Sequence, residues 1–508
     1  MLYPDRESII RAAKNIRAIY EYDYMQNPVS AADIINSELK SKQIVLYPDT
    51  EHSRVVAVHL ATLGCDCVVA NEKFLFENTE SVALIGYWNE IGIKEFCDRF
   101  DVPTEKIFLP YMKKELIWLA KNVESKIDSL VFEAVLPELI LVLTHEGRDF
   151  ITHSAHELSK YFRLTKVYIG GMEECDANSH FSQIISLDGN SKALEYLFEK
   201  HKAKIFVCGV FTHGMDFWKV PYIHGMLDKK TKLIALSCDW GWYAYKDINE
   251  ASLCVGKSVE HCRMDVLAEL YAAQNADIII TNRDFSDEII GIAEKMLVNF
   301  GFIESSKFVF EHRSDKNIKC CFAGSLFPYR IEGLFGNYFN ILNIFESISK
   351  TGTTIDVFEA YGRSLSVEGS QYKTLIDKGL LVAKNTLPQD TLPDYLSKYS
   401  FGLLLYNFSH DWLDKFQYLL KWLVQGKFIT YLAAGIPVVI SAEFCGMSDI
   451  VRKFGCGVVL EQNDIPNVDS ILRAADYDLL KDGVSKFQQY YAENDPAVEL
   501  TEFIRNRI

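Results

Sequence analysis

The chain has 508 residues, with 53 Lys and Arg against 69 Asp and Glu and a formal charge of −16. That acidity argues against an indiscriminate grip on nucleic acid or anionic lipid. A hydrophobic content of 49% beside 24% charged residues excludes a disordered chain. The length leaves room for roughly three ordinary domains, each able to bury a core. Met1-Leu-Tyr-Pro-Asp-Arg-Glu7 carries no apolar run, and the apolar stretch Leu139–Leu143 is far too short to span a bilayer. The expectation is a soluble, cytoplasmic protein with no transmembrane segment. Twelve cysteines are scattered without a CxxC pair or a zinc-site spacing, which reads as reduced, buried thiols.

Short β-branched runs alternate with longer amphipathic segments almost throughout, the pattern of repeated βαβ units and a parallel sheet. In the first block, residues 1–137, a helix is expected over Arg6–Tyr24 and a strand at Ile44–Tyr47. A helix over His52–Leu63 follows, closed by Gly64 in a left-handed cap, then strands at Cys67–Ala70 and Ser81–Ile85. After the first strand stands Tyr47-Pro48-Asp49-Thr50-Glu51-His52. It has no glycine to admit a pyrophosphate and two carboxylates to repel one, which argues against a dinucleotide. A Rossmann-like accessory module, docking a protein partner or a second copy, is the reading for this block. The second block, 138–312, has strands at Leu139–Leu143, Lys166–Ile169, Lys204–Cys208, Lys232–Leu236 and Ala276–Ile280, with a helix over Asp149–Tyr161. The charged segment His312–Lys316 leads into the third block, 313–508, whose first strand spans Asn317–Ala323.

The strongest local signal is Gln425-Gly-Lys-Phe-Ile-Thr-Tyr-Leu-Ala-Ala-Gly-Ile-Pro-Val-Val-Ile-Ser441. Phe428, Ile429, Leu432 and Ala433 share one face of a short helix; Gly435 caps it, Pro437 stops it, and Val438–Ile440 is a buried strand. Lys427 sits in the first turn, where a cation is unfavourable unless an anion shares the site. A phosphate there gains both the unpaired N–H groups and the ammonium.

This stretch resembles the KLxEYLAAGxPVV region of GT-B glycosyltransferases, the two-Rossmann-domain fold. Other landmarks follow in the family's order. Ala323-Gly324-Ser325 through Arg330 to Gly333 is similar to the first strand and loop of the donor half. Ile355 to Tyr361-Gly362 is similar to its second strand and glycine turn. Asn385-Thr386-Leu387 through Leu396 looks like the turn and helix that touch the base, and Phe401–Leu405 like the next strand. Met447–Val451 and Gly455–Val459 resemble its "EIV…GCGxxV" segment, and Gln274–Thr281 the strand that closes the acceptor half.

The resemblance implies an α/β protein with two parallel-sheet domains facing across a cleft, preceded by the smaller module, and a last helix returning to the acceptor domain. It implies a metal-independent transferase moving a sugar from a UDP- or GDP-linked donor to a glycan, glycolipid or protein in polysaccharide assembly, with no cofactor beyond that co-substrate. The implied donor-binding residues are Gly324, Ser325, Arg330, Tyr361, Gly362, Thr386, Leu387, Lys427, Thr430 and Tyr431. Two positions depart from the family: its arginine is Ser325 here, and its ribose-binding glutamate is Thr430. A non-catalytic subunit and a sugar-nucleotide 2-epimerase are the alternatives.

An inverting transfer needs a base for the acceptor hydroxyl. Ser237-Cys-Asp-Trp-Gly-Trp242 follows a strand end, where α/β sheets place ligands, so Asp239 is a candidate base with Trp240 and Trp242 as stacking faces. His145 and Glu146, after the first strand of the same block, are the rival pair. His153, His156 and Glu157 lie at metal-like helical spacing but have no further ligand, and Asp476-Tyr-Asp478 reads as a helix cap rather than a metal motif.

Overall fold

The alternation of apolar runs and amphipathic segments becomes three parallel sheets. The computed structural model describes separate short stretches between residues 35 and 108 and most of 124–508. The exceptions in the latter are 133–134, 144–152, 170–179, 188–190, 213–216, 218, 238–258, 283–292, 300–302, 311–317, 331–337, 360–364, 368, 386, 388–390 and 421–422. The expected helix at Arg6–Tyr24 lies outside the described residues.

Among those residues, the first sheet has strands β1 (Ile44–Tyr47), β2 (Cys67–Val69), β3 (Ser81–Leu84) and β4 (Ile107–Phe108), in the order β2-β1-β3-β4. Its small core gathers Ile44, Leu46, Val56, Leu60 and Ala83. Gly64 adopts φ 79°, the left-handed conformation its sequence position calls for.

The second sheet comprises β5 (Glu138–Leu143), β6 (Arg163–Tyr168), β7 (Gln183–Ser186), β8 (Ile205–Thr212), β9 (Lys232–Ser237), β10 (Ile278–Thr281) and β11 (Met296–Val298). Its order is β11-β10-β9-β8-β5-β6-β7. The third comprises β12 (Lys319–Gly324), β13 (Thr354–Glu359), β14 (Leu381–Lys384), β15 (Phe401–Leu404), β16 (Val438–Ser441) and β17 (Gly457–Leu460), in the order β14-β13-β12-β15-β16-β17. Every register in the three sheets is parallel. Central strands are covered on both faces, so Leu139–Leu143 and Val438–Ile440 are unbroken apolar runs with every residue fully buried. Burial pushes the thiols of Cys320, in β12, and Cys456 up to about 12, which keeps them protonated.

The helices that matter for the site are α1 (Ala155–Leu158), α2 (Val259–Asn275), α3 (Leu392–Leu396), α4 (His410–Leu420), α5 (Gly426–Ala433), α6 (Cys445–Phe454), α7 (Tyr477–Glu493) and α8 (Pro496–Arg505). Local chemistry sets their ends. Gly435 (φ 73°) follows α5, and Gly455 (φ 68°) caps α6. Asp476 caps α7 by accepting from the Leu479 N–H at 3.1 Å, the role read for the Asp476-Tyr-Asp478 segment.

Two sets of contacts join the second and third sheets. Asn282, just past β10, donates through Nδ2 to the Val424 carbonyl at 3.1 Å, while the Val424 N–H donates to the Asn282 carbonyl at 3.3 Å. Val424 leads into α5, so this reciprocal pair joins the carboxyl edge of the second sheet to the start of a helix serving the third. At the chain's end, Asn299 Nδ2 donates to the Pro496 carbonyl at 2.8 Å, and the Arg505 guanidinium lies 3.8 Å over the Tyr161 ring. Arg507 adds bonds of 3.0 and 3.1 Å to the Glu294 carbonyl. The terminal helix α8 therefore packs on the second sheet's unit, against α1. Among the described residues, no helix is long and apolar enough to cross a membrane.

Candidate active site

In a doubly wound sheet, ligands bind beyond the carboxyl ends of the strands where the strand order reverses. The third sheet reverses between β12 and β15, and the second between β5 and β8. Direct pairing of β12 with β15 covers only Cys320↔Phe401 and Cys321↔Gly402, so the two strands part beyond that point.

Tyr431, on α5, fills the fork. Its hydroxyl accepts from the Ala323 N–H at 2.8 Å and donates to the Leu403 carbonyl at 3.1 Å, which satisfies one backbone group on each departing strand. The ring rests on Gly402, where a Cβ would come within 2.3 Å of Tyr431 Cγ. Tyr431 is fully buried, and burial holds its phenol well above the ordinary range. The resemblance in sequence placed Tyr431 at the donor; in the structure it is a wedge inside the sheet. Thr430, also expected at the donor, is 2% exposed, and its hydroxyl donates to the Gly426 carbonyl at 2.9 Å, one turn back in the same helix.

Lys427 is the residue that α5 delivers to the switch point. Its Nζ lies 5.0 Å from the centre of the Phe322 ring and 4.9 Å from that of Tyr406, and it is hydrogen-bonded to the Tyr406 hydroxyl. The ammonium is so close to the end of β12 that a Cβ on Gly324 would stand 2.8 Å from Nζ. Gly324 thus admits the cation to the place where an anion would meet the strand end. Gln425, at the N-cap of α5, makes no side-chain capping bond, so the helix presents its leading N–H groups uncapped by its own N-cap side chain.

The loop after β12 begins with Gly324 and Ser325, which are half-buried, and ends with the exposed Arg330. It is tied down from β13 and the segment beyond. Glu359, 3% exposed at the end of β13, accepts from the Leu326 N–H at 3.3 Å. The Gln371 N–H donates to the Pro328 carbonyl at 2.7 Å, and its Nε2 to the Phe327 carbonyl at 2.9 Å. On the far side, Gln462 Nε2 donates to the Tyr406 carbonyl at 3.1 Å and to Glu443 Oε2 at 3.4 Å. Burial pushes the Glu443 carboxyl above its ordinary value. Glu359, Tyr406, Glu443 and Gln462 are absent from the sequence reading. Glu359 and Tyr406 had a usable signal, because each stands at or just past the end of a strand predicted for the donor half.

Leu387 is half-buried and packs against the core. Tyr361, Gly362 and Thr386 lie outside the described residues, as do His145, Glu146, Asp239, Trp240 and Trp242. The described strand ends nevertheless fix their place in the chain: His145 and Glu146 follow β5, a switch-point strand, and Asp239 follows β9, the neighbour of β8. His156 lies 3.6 Å from Glu157 and 3.9 Å from Glu304; among the described residues, no group of three His, Cys, Asp or Glu could hold a metal ion.

Comparison with known proteins matches one segment of the chain to a family. Residues 342–494 match the model of the glucosyltransferase 3-like C-terminal domain. The match takes in strands β13 to β17 and helices α3 to α7. That segment of the chain is a glucosyltransferase-type domain.

No curated protein matches the chain. Among solved structures it is similar to HepE of Anabaena in complex with UDP and glucose, with TM-score 0.48 and 11% identity over 73% of this chain and 98% of that one. It is also similar to S. aureus MnaA with UDP, with TM-score 0.43 and 11% identity over 68% and 91%. A third is a UDP-glucosyltransferase from Polygonum tinctorium, with TM-score 0.42 and 9% identity over 74% and 99%.

Proposed function

We propose that the protein is a glycosyltransferase of the GT-B fold, which seats the diphosphate of a UDP- or GDP-linked sugar at the fork between β12 and β15 and passes the sugar to an acceptor held by the middle unit. The observation that carries the reading is the Lys427 ammonium beside Gly324, at the fork of a sheet whose strands β13 to β17 lie in the segment that matches a glucosyltransferase domain. The family's description supports glucose as the sugar.

In the transfer, the bond from the anomeric carbon to the diphosphate oxygen breaks as the bond to the acceptor oxygen forms. Negative charge grows on the departing diphosphate. Lys427 and the leading N–H groups of α5 supply fixed positive charge for it, with Arg330 on the adjoining loop as a second cation able to bind phosphate in bidentate fashion. Asp239, or the rival pair His145 and Glu146, takes the acceptor proton. The division into 1–137, 138–312 and 313–508 belongs to this proposal, with the first part docking a protein partner or a second copy. The acceptor is a glycan, glycolipid or protein.

Ser325 and the inward-turned Thr430 favour one competing reading, a subunit that has lost catalysis. Product analysis of the purified chain with a panel of UDP- and GDP-sugars, with and without oligosaccharide acceptors, separates the cases. The proposal expects nucleoside diphosphate and a glycosylated acceptor or free sugar. An epimerised donor as the sole product makes the protein an epimerase, and an unaltered panel makes it a non-catalytic subunit.

A further inference from the structure

We propose that Tyr406 is a positioning residue for Lys427, holding its ammonium aimed at the donor's diphosphate before the donor arrives; this rests on the nucleotide-sugar reading of the site. The Tyr406 side chain is fixed from several directions. Its backbone N–H donates to Ser441 Oγ at 3.1 Å, and its carbonyl accepts from Gln462 Nε2 at 3.1 Å, so two neighbouring strand ends hold its main chain. Its ring stacks face to face on Tyr338, with centroids 4.3 Å apart and planes 2° from parallel. Tyr338 in turn lies parallel to Trp412 on α4, at 5.4 Å and 11°. The rings of Phe322 and Phe444 close in at 67° and 73° to the Tyr406 plane.

That leaves the ring, 3% exposed, with one polar atom, and the Lys427 ammonium is bonded to it. A lysine side chain loses about 2 kcal/mol of rotamer entropy when it is fixed. A rigid hydroxyl, with the Phe322 ring 5.0 Å from the ammonium, imposes that loss during folding, so it no longer weakens ligand binding. The hydroxyl is neutral and occupies one of the ammonium's three donors, so it orients the charge without cancelling it.

The test is calorimetric titration of the full chain with UDP and GDP, with uridine and guanosine as controls that lack the diphosphate. The proteins are wild type, Tyr406→Phe, Lys427→Met and the double variant. Phenylalanine preserves the stack, and an unchanged melting transition confirms that the variant folds. The inference expects Tyr406→Phe to weaken diphosphate binding about tenfold, to leave the nucleosides unaffected, and to add nothing in the Lys427→Met background. A merely structural role would move nucleoside and nucleotide together. A normal Lys427→Met loss beside a silent Tyr406→Phe, or an additive double variant, overturns the inference and leaves the site reading standing. A silent Lys427→Met, or a wild type that binds neither nucleotide, overturns both.

Discussion

A lysine in the first turn of a helix works against the helix dipole. At Lys427, the Phe322 ring and the Tyr406 hydroxyl offset that penalty beside a strand end. Elsewhere, a charged side chain serves stability instead. Asp469 accepts from the Thr351 hydroxyl at 2.5 Å, the Thr353 hydroxyl at 2.8 Å and Arg473 Nε at 3.0 Å. Burial alone would raise its carboxyl; Arg473 and the two hydroxyls outweigh it and hold the group below its ordinary value. A carboxylate depressed on folding contributes stability that is complete above its unfolded value, about 3.9, and is lost as pH falls through the lower folded value. Thermal melts should therefore show Asp469→Asn several degrees below wild type at pH 7, with the gap narrowing as the pH drops below about 4. A constant gap across that range would remove the carboxylate from the account.

The fork between β12 and β15 depends on one small residue. Gly402 lies under the Tyr431 ring, and a methyl group there collides with the ring at a point the surrounding core cannot vacate. Gly402→Ala should cost about 2 kcal/mol or more in urea denaturation, on the scale of overpacked cores; a loss below about 0.5 kcal/mol would mean that the wedge yields easily. The helix and strand around this fork are legible in the sequence because Phe428, Ile429, Leu432 and Ala433 fall on one face and Gly435 and Pro437 end the run. The direction of Tyr431 is not legible. A tyrosine beside a binding motif reads equally as a ligand contact or a strut until the parting of two strands distant in sequence shows which carbonyl its hydroxyl meets. Strands β7, β11 and β14 escape the pattern for another reason. They are short edge strands with incomplete burial, as the exposed Ala383 and Lys384 of β14 show, and so lack the continuous apolar run that marks a central strand.

Across the whole molecule, the reciprocal Asn282–Val424 bonds place the end of β10 beside the start of α5, and α8 returns to pack on α1. The fork and the strands that lead to His145, Glu146 and Asp239 thus belong to two units tied together at a carboxyl edge, which is what the proposed transfer between two bound substrates requires. The parallel-sheet architecture was readable because motifs in the third block follow a known order; the contacts that join the units were not, since Asn282 and Val424 are 142 residues apart and neither belongs to a motif. The account as a whole turns on the cation at the fork. Its most direct test is the affinity of the full chain for UDP and GDP before and after Lys427→Ala. Loss of a charged hydrogen bond predicts a weakening of roughly tenfold to a hundredfold for the nucleotide that binds. Equal affinity in the two proteins, or binding of neither nucleotide, would contradict it.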